Sequence, residues 1–454
     1  MREGSLETPT RRPIAWRQAE FYDEKKLDNE LRRVFDICHG CRRCFNLCDS
    51  FPRLFDLIDE SDTGELDSVK SDDFKPIVDA CTLCDMCFMV KCPYVPPHDF
   101  DLDFPHLMLR YRAQQFRRDE ISPMKQRVGE TDKNGKFGCN VSPLANWACA
   151  CSNGLTRPLM QSVTGINKNA ALPKFNSKQA NALANTATIN TAAPAHGRKA
   201  VIYSTCTGEY HNEDLVTASI RVLARNGVET KIVYPGCCSM PQLEHGDIER
   251  VANSAITIAN DLAVWIEKGY DIVTPVASCS LMLKFEWPLI EPDDENIRML
   301  SQSTFDINEY MVDISSREGF ADGLKPLPGG VTLHIACHAR AQNMGRKGAD
   351  MLALIPDTET KVIERCSGHG GSWGIMKDNF DVALKIGKPV ARDTAKAQTA
   401  YVVSECPLAR EHILQGVEKL DADKPAAGWD NGGIQVQHPI QLVAISYQGQ
   451  TKNG

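Results

Sequence analysis

The sequence lacks an excess of basic residues, a long apolar run and the glycine motifs of nucleotide-binding proteins. Its 454 residues carry 51 Lys and Arg against 59 Asp and Glu, so the net charge is −8 and nucleic-acid binding is not expected. No apolar stretch approaches the roughly 18 residues that a transmembrane helix needs. No Cys-x2-Cys-His haem motif occurs, no Walker loop follows a strand, and no Gly-x-Gly-x-x-Gly opens the first helix. Any flavin or nicotinamide chemistry must therefore belong to a partner.

The opening stretch MREGSLETPTRRPIAWRQ also lacks an apolar segment, so we expect no signal peptide and a cytoplasmic location. What the chain has in excess is cysteine, with 18 residues. Because cytosolic thiols stay reduced, this number predicts metal or redox chemistry rather than disulfides. Hydrophobic residues make up 42% of the chain and charged residues 24%, as in ordinary globular proteins. The length predicts about three domains.

Two cysteine runs near the start carry the strongest signal. Each run has three cysteines at x2, x2 spacing and a fourth further on: Cys38, Cys41, Cys44 and Cys48, then Cys81, Cys84, Cys87 and Cys92. Three closely spaced thiolates can hold three irons of a cubane, and a more distant cysteine completes the site. Structural zinc usually takes two separated Cys-x2-Cys pairs, which neither run provides. The pattern predicts two [4Fe–4S] clusters and favours single-electron transfer.

The division of these eight cysteines follows the rule of two-cluster ferredoxins, in which the distant cysteine of each run ligates the other cluster. Cluster one would then be held by Cys38, Cys41, Cys44 and Cys92, and cluster two by Cys81, Cys84, Cys87 and Cys48. Pro93 follows Cys92 as the rule expects, whereas Asp49 follows Cys48. The identity of the eight ligands is therefore a firmer prediction than their division.

The second half of the chain is an internal repeat. KAVIYSTC matches VTLHIACH, TKIVYPGCC matches TKVIERC, and DIVTPVASCSL matches AYVVSECPL. The stretch 172–197, rich in Ala, Asn and Thr, is interpreted as a linker before the repeat. We predict a two-cluster domain at 1–171, the linker at 172–197, a first repeat unit at 198–325 and a second at 326–454.

Each unit alternates apolar strands with amphipathic helices, which predicts a parallel sheet with helices on its faces. The predicted strands are 200–205, 228–234, 271–277, 331–336, 360–365 and 400–404. The predicted helices are 213–226, about 248–266, 345–354 and 378–398. Every repeat cysteine falls at the carboxyl end of a strand, where open α/β sheets bind ligands. These residues are Cys206, Cys237, Cys238 and Cys279, then Cys337, Cys366 and Cys406. The alternative is that they are ordinary buried cysteines.

The motifs resemble the heterodisulfide reductase-related CCG family, which includes iron–sulfur subunits of anaerobic glycerol-3-phosphate dehydrogenase and of glycolate oxidase. The strings that carry the resemblance include LCDMCFMVKCPYVPPHDF, GCCSMPQLEHGD, ACHARAQNMG and RCSGHGGSWG. The resemblance implies an α+β multidomain fold, with a helical, ferredoxin-like two-[4Fe–4S] domain followed by a duplicated α/β parallel-sheet unit. It also implies an iron–sulfur centre in each CCG unit.

The chain departs from the family pattern at three positions. Met282 and Ala409 stand where each CCG motif would carry its final cysteine, and Arg365 precedes Cys366 where a second cysteine would stand. The first unit thus offers four thiolates and the second three. A fourth ligand for the second unit would come from His338 or His369, which otherwise are hydrogen-bonded loop histidines. One or two further iron–sulfur centres are expected in the CCG units.

These observations predict an oxidoreductase subunit that relays electrons from a flavin-containing dehydrogenase to a quinone or another acceptor. Two alternatives remain open, namely a thiol or heterodisulfide reductase acting at the CCG centre and an electron donor in peroxide or oxygen defence. The basic segment 104–120 either packs on the two-cluster core or lies at the inner face of the membrane. Cys139, Cys149 and Cys151 match no cluster motif and are expected to be free thiols.

Overall fold

The computed structural model describes residues 8–180, 187–420 and 436–448. After an extended arm, four helices form the region that carries both cysteine runs: α1 (Glu24–Cys41), α2 (Ser50–Asp59), α3 (Lys75–Ala80) and α4 (Phe104–Arg117). The Asp23 side chain accepts a hydrogen bond from the Lys26 N–H and so caps α1. Helix α1 buries Leu27, Leu31 and Val34, whose spacing of three and four residues places them on one face.

Helix α4 settles the alternative left open for segment 104–120. Its side chains at Leu107, Met108 and Leu109 are buried, and Arg112 is buried as well. The guanidinium of Arg112 donates to the carbonyl oxygens of Val78 and Cys81, at the end of α3. The segment therefore packs on the cysteine-run region, as the first of the two alternatives predicted.

Four further helices precede the repeat. They are α5 (Pro123–Val128), α6 (Thr131–Asn140), α7 (Ser142–Cys149) and α8 (Thr156–Thr164). The described residues of the predicted linker that follows form no α-helix and no strand. Three of its alanines, Ala180, Ala193 and Ala195, are buried. The domain boundaries themselves remain predictions.

The first CCG unit is a four-stranded parallel sheet in the order β2-β1-β3-β4. The strands are β1 (Lys199–Tyr203), β2 (Glu229–Val233), β3 (Asp271–Thr274) and β4 (Thr304–Asp306). Its helices are α9 (Thr205–Tyr210), α10 (Glu213–Arg225), α11 (Met240–Glu244), α12 (Ile248–Ile266), α13 (Ala277–Leu281), α14 (Trp287–Ile290), α15 (Glu295–Ser303) and α16 (Ile307–Arg317). Three strands match the prediction, while the three-residue β4 is too short to show a period in the sequence.

The second CCG unit is a three-stranded parallel sheet in the order β6-β5-β7. The strands are β5 (Val331–His334), β6 (Thr360–Ile363) and β7 (Tyr401–Ser404). Its helices are α17 (Cys337–Ala341), α18 (Lys347–Leu352), α19 (Phe380–Ala397) and α20 (Pro407–Leu420), and α21 (Pro439–Gln448) ends the described chain. Both central strands pair with the strands that follow them as the duplication predicts, so the parallel-sheet prediction is confirmed.

The two units are joined by direct contacts. Helix α13 packs against α17. The buried Gln342 side chain donates to the Ala277 carbonyl at 3.2 Å and to the Ser280 hydroxyl at 3.0 Å. Helix α21 also crosses back and packs on α10 of the first unit. Because these contacts are buried, the two sheets keep a fixed relation to each other.

An arginine of the N-terminal arm joins the cysteine-run region to the first unit. Arg11 pairs with Asp85 at 2.7 Å, with Asp103 at 2.9 Å and with Glu286 at 2.8 Å. Its guanidinium also lies 4.4 Å from the centre of the Phe88 ring. Since these carboxylates are largely buried, Arg11 offsets the repulsion among them, and the His106 imidazole contacts two of them, Asp103 and Glu286.

Candidate functional site

The structure brings Cys92 into one group with the first three cysteines. Cys38 and Cys41 lie in the last turn of α1, where Arg42 takes a left-handed conformation (φ 53°) that ends the helix. A small cavity is lined by Cys38, Cys41, Cys44 and Cys92. Burial raises the pKa of Cys38 well above its usual value, and the neighbouring thiolates of Cys92, Cys44 and Cys41 raise it further. We call these four residues the first thiol group.

The remaining cysteines of the two runs form a second thiol group, Cys48 with Cys81, Cys84 and Cys87. Burial raises the pKa of Cys48 well above its usual value, and repulsion from the thiolates of Cys84 and Cys81 raises it further. The loop between Cys81 and Cys87 carries two residues with positive φ, Leu83 at 48° and Asp85 at 62°. This tight backbone keeps the thiols of Cys81, Cys84 and Cys87 on the same side of the loop.

The donor chemistry of both groups fits an iron–sulfur cluster. All eight cysteines are free thiols, and each is buried or half-buried. Burial raises the pKa of Cys44 and of Cys84 to about 12, so clustered thiolates need a compensating positive charge. Iron supplies that charge and binds thiolate sulfur. Across the described ranges, no three His, Cys, Asp or Glu side chains are arranged to hold a single metal ion.

The four cysteines of the first CCG unit converge at the carboxyl ends of its strands. Cys206 follows β1 on α9, Cys237 and Cys238 follow β2, and Cys279 lies on α13 after β3. The Sγ atoms of Cys238 and Cys279 are 3.3 Å apart. A hydrogen bond between Cys206 and Cys237 raises the pKa of Cys206 and lowers that of Cys237. The spacing shows four thiols that share one site.

Neighbouring groups fix the backbone of this site. The Cys237 N–H donates to Asp132 Oδ2 at 3.1 Å, and Asp132 also accepts from the Tyr234 hydroxyl. The indole N–H of Trp287 donates to the Cys238 carbonyl at 3.3 Å. Asp132 belongs to α6, outside the unit, and sequence reasoning gave no signal for it.

The three cysteines of the second unit occupy the equivalent strand ends. Cys337 begins α17, Cys366 follows β6 and is exposed, and Cys406 follows β7. The Gly368 N–H donates to the Cys366 Sγ at 3.4 Å. Gly368, Gly370 and Gly371 all have positive φ, which the short loop requires. The glycine run thus brings a backbone donor to a thiol.

Histidines accompany the three thiols. His338 and His369 both line a cavity between the two units. Burial lowers the pKa of His338, and it lowers that of His369 to about 3, so both imidazoles are neutral near pH 7. Within the described part of the chain, His338 Nε2 is buried without a hydrogen-bond partner. A neutral ring with a free nitrogen can act as a metal ligand.

Sequence reasoning missed a third histidine. His412 lies on α20, and its ring centre is 5.8 Å from that of His369. Its Nε2 atom is also buried and has no partner among the residues that the structure describes. The signal was weak because His412 follows Cys406 by six residues within a helix, a spacing that matches no ligand motif.

The cavity between the units has a volume of about 330 Å³ and also reaches the second thiol group. All seven CCG cysteines line it, namely Cys206, Cys237, Cys238, Cys279, Cys337, Cys366 and Cys406, together with Cys84. Burial raises the pKa of Cys337 well above its usual value, and the charges of Cys84, Cys366 and Cys406 raise it further. From the sequence we expected the cysteines of each unit to gather at the edge of their own sheet. In the structure, both of these edges border the same cavity.

A buried carboxyl also faces this cavity. Burial raises the pKa of Glu244, on α11 of the first unit, to about 7. The Ser372 hydroxyl of the second unit donates to Glu244 Oε2 at 3.4 Å. A side chain at Gly371 would place its Cβ 2.3 Å from Glu244 Oε1. This contact closes the wall between the units.

Comparison with known proteins agrees with this geometry. The family profile of the cysteine-rich CCG domain matches residues 200–284 and again 331–409. Two segments of the chain are therefore similar to the CCG domain. Both matches contain the strand-end cysteines of their unit, so the internal repeat and the domain matches coincide.

Several curated proteins are similar to the chain at low identity. One subunit of anaerobic glycerol-3-phosphate dehydrogenase of Escherichia coli is 23% identical over 322 residues, covering 70% of this chain and 75% of that protein. One subunit of the dihydromethanophenazine:CoB–CoM heterodisulfide reductase of Methanosarcina barkeri is 23% identical over 411 residues, 81% of this chain and 93% of its own. An uncharacterized iron–sulfur protein of Methanocaldococcus jannaschii is 28% identical over 261 residues, 55% of this chain and 48% of its own. These similar proteins are named as subunits of oxidoreductases or as iron–sulfur proteins.

Proposed function

We propose that the protein is an electron-transfer subunit that relays electrons from a flavin-containing dehydrogenase, of the glycerol-3-phosphate or 2-hydroxy-acid type, to a quinone or another acceptor. The observation that carries the proposal is the position of Cys84. This residue belongs to the second thiol group and also lines the cavity that holds the seven CCG cysteines. Because Cys84 belongs to both, electrons would have a short path from the second thiol group to the cavity.

The first and second thiol groups would each hold one [4Fe–4S] cluster, in a ferredoxin-like region at 1–171. Cys38, Cys41, Cys44 and Cys92 would ligate one cluster, and Cys81, Cys84, Cys87 and Cys48 the other. The mutual influence of the thiols on their pKa values supports this crossed division. When bound, such clusters accept and release one electron at a time.

The two thiol groups are neighbours. Burial and the charges of Cys84 and Cys81 raise the pKa of Cys87, and Cys44 of the first group adds to the shift. On its other side the second group meets Cys337 and Cys366 through Cys84. The second thiol group therefore lies between the first group and the cavity, the order that a relay requires.

The two CCG units would hold further iron–sulfur centres with different ligands. In the first unit, Cys206, Cys237, Cys238 and Cys279 offer four thiolates, the number that an ordinary cubane needs. In the second unit, Cys337, Cys366 and Cys406 need a fourth donor. The unpartnered Nε2 of His338 is buried at the cavity wall and would serve.

The iron and sulfide content of anaerobically purified protein tests this proposal. About eight irons per chain would correspond to the two N-terminal clusters alone, and about twelve or sixteen would fill one or both CCG units. EPR after dithionite reduction should show the corresponding signals. A colourless protein that is EPR-silent and contains stoichiometric zinc would contradict the proposal.

A second candidate function is disulfide reduction at the shared cavity. The observation that favours it is that cysteines of both units face one space of about 330 Å³, large enough for a small molecule. One relative is named as a subunit of a heterodisulfide reductase. Turnover of a disulfide by the purified protein with a reduced dye would favour this function over the relay.

A further inference from the structure

Helices α6 to α8 present large apolar side chains to solvent. We call this surface the apolar helical face, and it consists of Phe137, Leu144, Trp147, Leu155, Leu159 and Val163, which are 55% to 79% exposed. Within residues 8–180, 187–420 and 436–448, no helix is long and apolar enough to cross a bilayer. Contiguous exposed apolar surface marks an interaction site on most proteins.

The spacing places these side chains on common faces. Leu159 and Val163 are four residues apart on α8, Leu155 lies four residues before Leu159 at the N-cap of that helix, and Leu144 and Trp147 are three apart on α7. Residues at these intervals share one side of a helix. Because α7 packs directly against α8, the two apolar rows are adjacent.

The apolar helical face is not the result of a loosely held helix. Arg157, on the opposite side of α8, is 2% exposed. Its guanidinium donates to the carbonyl oxygens of Asn167, Lys168 and Ala170 at 2.6 to 2.9 Å. These bonds fix α8 on the protein, so its apolar side remains turned to solvent.

The segment that carries the apolar helical face is basic although the whole chain is acidic. The exposed bases of this region are Lys125, Arg127, Lys133, Lys136, Lys168 and Lys174. Between residues 121 and 175 the only acids are Glu130 and Asp132. Glu130 pairs with both Arg250 and Lys133, and Asp132 accepts from Tyr234 and Cys237, so both acids are engaged within the protein and the charge of Lys133 is partly neutralised.

We propose that the apolar helical face binds the surface of an anionic lipid membrane, with its apolar side chains inserted at the headgroup level. Lys is depleted in protein–protein interfaces, whereas Lys around Leu, Trp and Phe is typical of helices that lie in the membrane interface. Lysines near an anionic leaflet add electrostatic attraction. The composition therefore favours a lipid surface over a protein partner.

The position of the face gives this binding a role. Arg157 holds the segment 167–170, and the next residues, Ala171, Leu172 and Pro173, line the shared cavity. Membrane binding would bring the cavity close to the bilayer, where a lipophilic electron acceptor is dissolved. The inference goes beyond the proposed relay, because lipid binding does not depend on which acceptor is used.

Flotation with lipid vesicles tests the inference on the full chain, purified anaerobically. The wild-type protein should float with vesicles of phosphatidylcholine containing phosphatidylglycerol, and much less with phosphatidylcholine alone. Leu159→Glu combined with Val163→Glu should reduce the bound fraction at least about tenfold, since two charges replace two inserted apolar groups. Raised salt should weaken binding in the same direction.

Val264→Glu is the matched control. Val264 lies on α12 and is 48% exposed, close to the 57% of Val163, but it belongs to a different surface. This variant should float like the wild type. The inference is overturned if the wild type does not bind anionic vesicles at low salt, or if the double variant binds as the wild type does. Loss of a dimer in the double variant, with no lipid binding by either protein, would assign the face to self-association instead.

Discussion

The two CCG units share one topology and differ in what they place at their strand ends. The first has four strands, four thiols and a short Sγ–Sγ distance of 3.3 Å between Cys238 and Cys279. The second has three strands, three thiols and, at the cavity wall, two histidines, His338 and His412, whose Nε2 atoms are buried without a hydrogen-bond partner among the described residues. A duplicated fold has therefore kept the positions of its donors while their chemistry has changed.

The units also differ in how they are attached to the cysteine-run region. The first unit is held by buried ion pairs at Arg11, which reach Glu286. The second makes close backbone contacts, and a Cβ at Gly370 would lie 2.5 Å from the Thr82 side chain. The first unit packs closely as well, because a Cβ at Gly246 would lie 2.4 Å from the Arg112 backbone, so the buried charge at Arg11 is what distinguishes its attachment.

Removing one thiol of the first unit should have the largest effect. Cys279→Ala leaves three thiolates in the first unit, and we expect about four irons per chain to be lost on anaerobic purification. Iron analysis and the visible spectrum would measure this loss. Cys406→Ala, the equivalent change in the second unit, then reports the iron that the second unit holds.

Cys139→Ala is the control for thiol removal. Cys139 is buried, but its thiol donates to the Tyr210 carbonyl at 3.5 Å and belongs to no thiol group. Its loss should leave the iron content unchanged. If Cys279→Ala also keeps all its iron, the first unit does not hold a cluster and the difference between the units disappears.

Arg11→Met should destabilise the attachment of the first unit by about 3–5 kcal/mol. The change leaves the carboxylates of Asp85, Asp103 and Glu286 buried without their shared cation. Thermal unfolding under anaerobic conditions would measure the effect. Arg12→Met is matched in chemistry, but Arg12 is 76% exposed and should shift stability by less than about 0.5 kcal/mol. Equal losses in both variants would show that the buried ion pairs contribute little.

The pH dependence of stability should reflect Glu244 at the boundary between the units. Burial raises its pKa from 4.5 to about 7, so the folded protein keeps the proton where the unfolded chain has released it. Stability should fall as pH rises from 4.5 to 7, by up to about 3 kcal/mol, because the folded state must then ionise a buried carboxyl.

Glu244→Gln should flatten this dependence, and unfolding midpoints between about pH 5 and 8 would show it. Glu267→Gln, at the exposed end of α12, should leave the slope as in the wild type. A slope that persists in Glu244→Gln would assign the pH dependence to another group.

Gly371→Ala should have the smallest effect, about 1–3 kcal/mol of destabilisation. The new Cβ would meet the Glu244 carboxylate at 2.3 Å, and the backbone is already at φ 60°. Gly269→Ala in the first unit separates the two causes, because its φ is 79° but no atom lies within 4 Å of the added Cβ. If both variants lose the same stability, backbone strain alone explains the result and the contact with Glu244 contributes nothing.

Much of the fold followed from local patterns. The strand at Lys199–Tyr203 and the helix at Ile248–Ile266 were predicted nearly to the residue, because an apolar run and a 3.6-residue period are visible in a short window. The strand at Thr304–Asp306 and the histidine at position 412 were missed. A strand of three residues is too short to show a hydrophobic period. The role of a histidine within a helix depends on the residues that it contacts in the folded protein, which the local sequence does not show.

The sequence by itself determined the spacing of the thiols and where the main strands of each repeat unit lie, because cysteine spacing and hydrophobic period are local properties. Only the tertiary structure decided that both sheets open onto one cavity and that Cys84 reaches its wall. That outcome depends on the packing of α13 against α17 and on buried contacts such as those of Gln342, more than 60 residues from their partners. Contacts at such separations leave no periodic trace in the chain, so they are set by the fit of the folded surfaces.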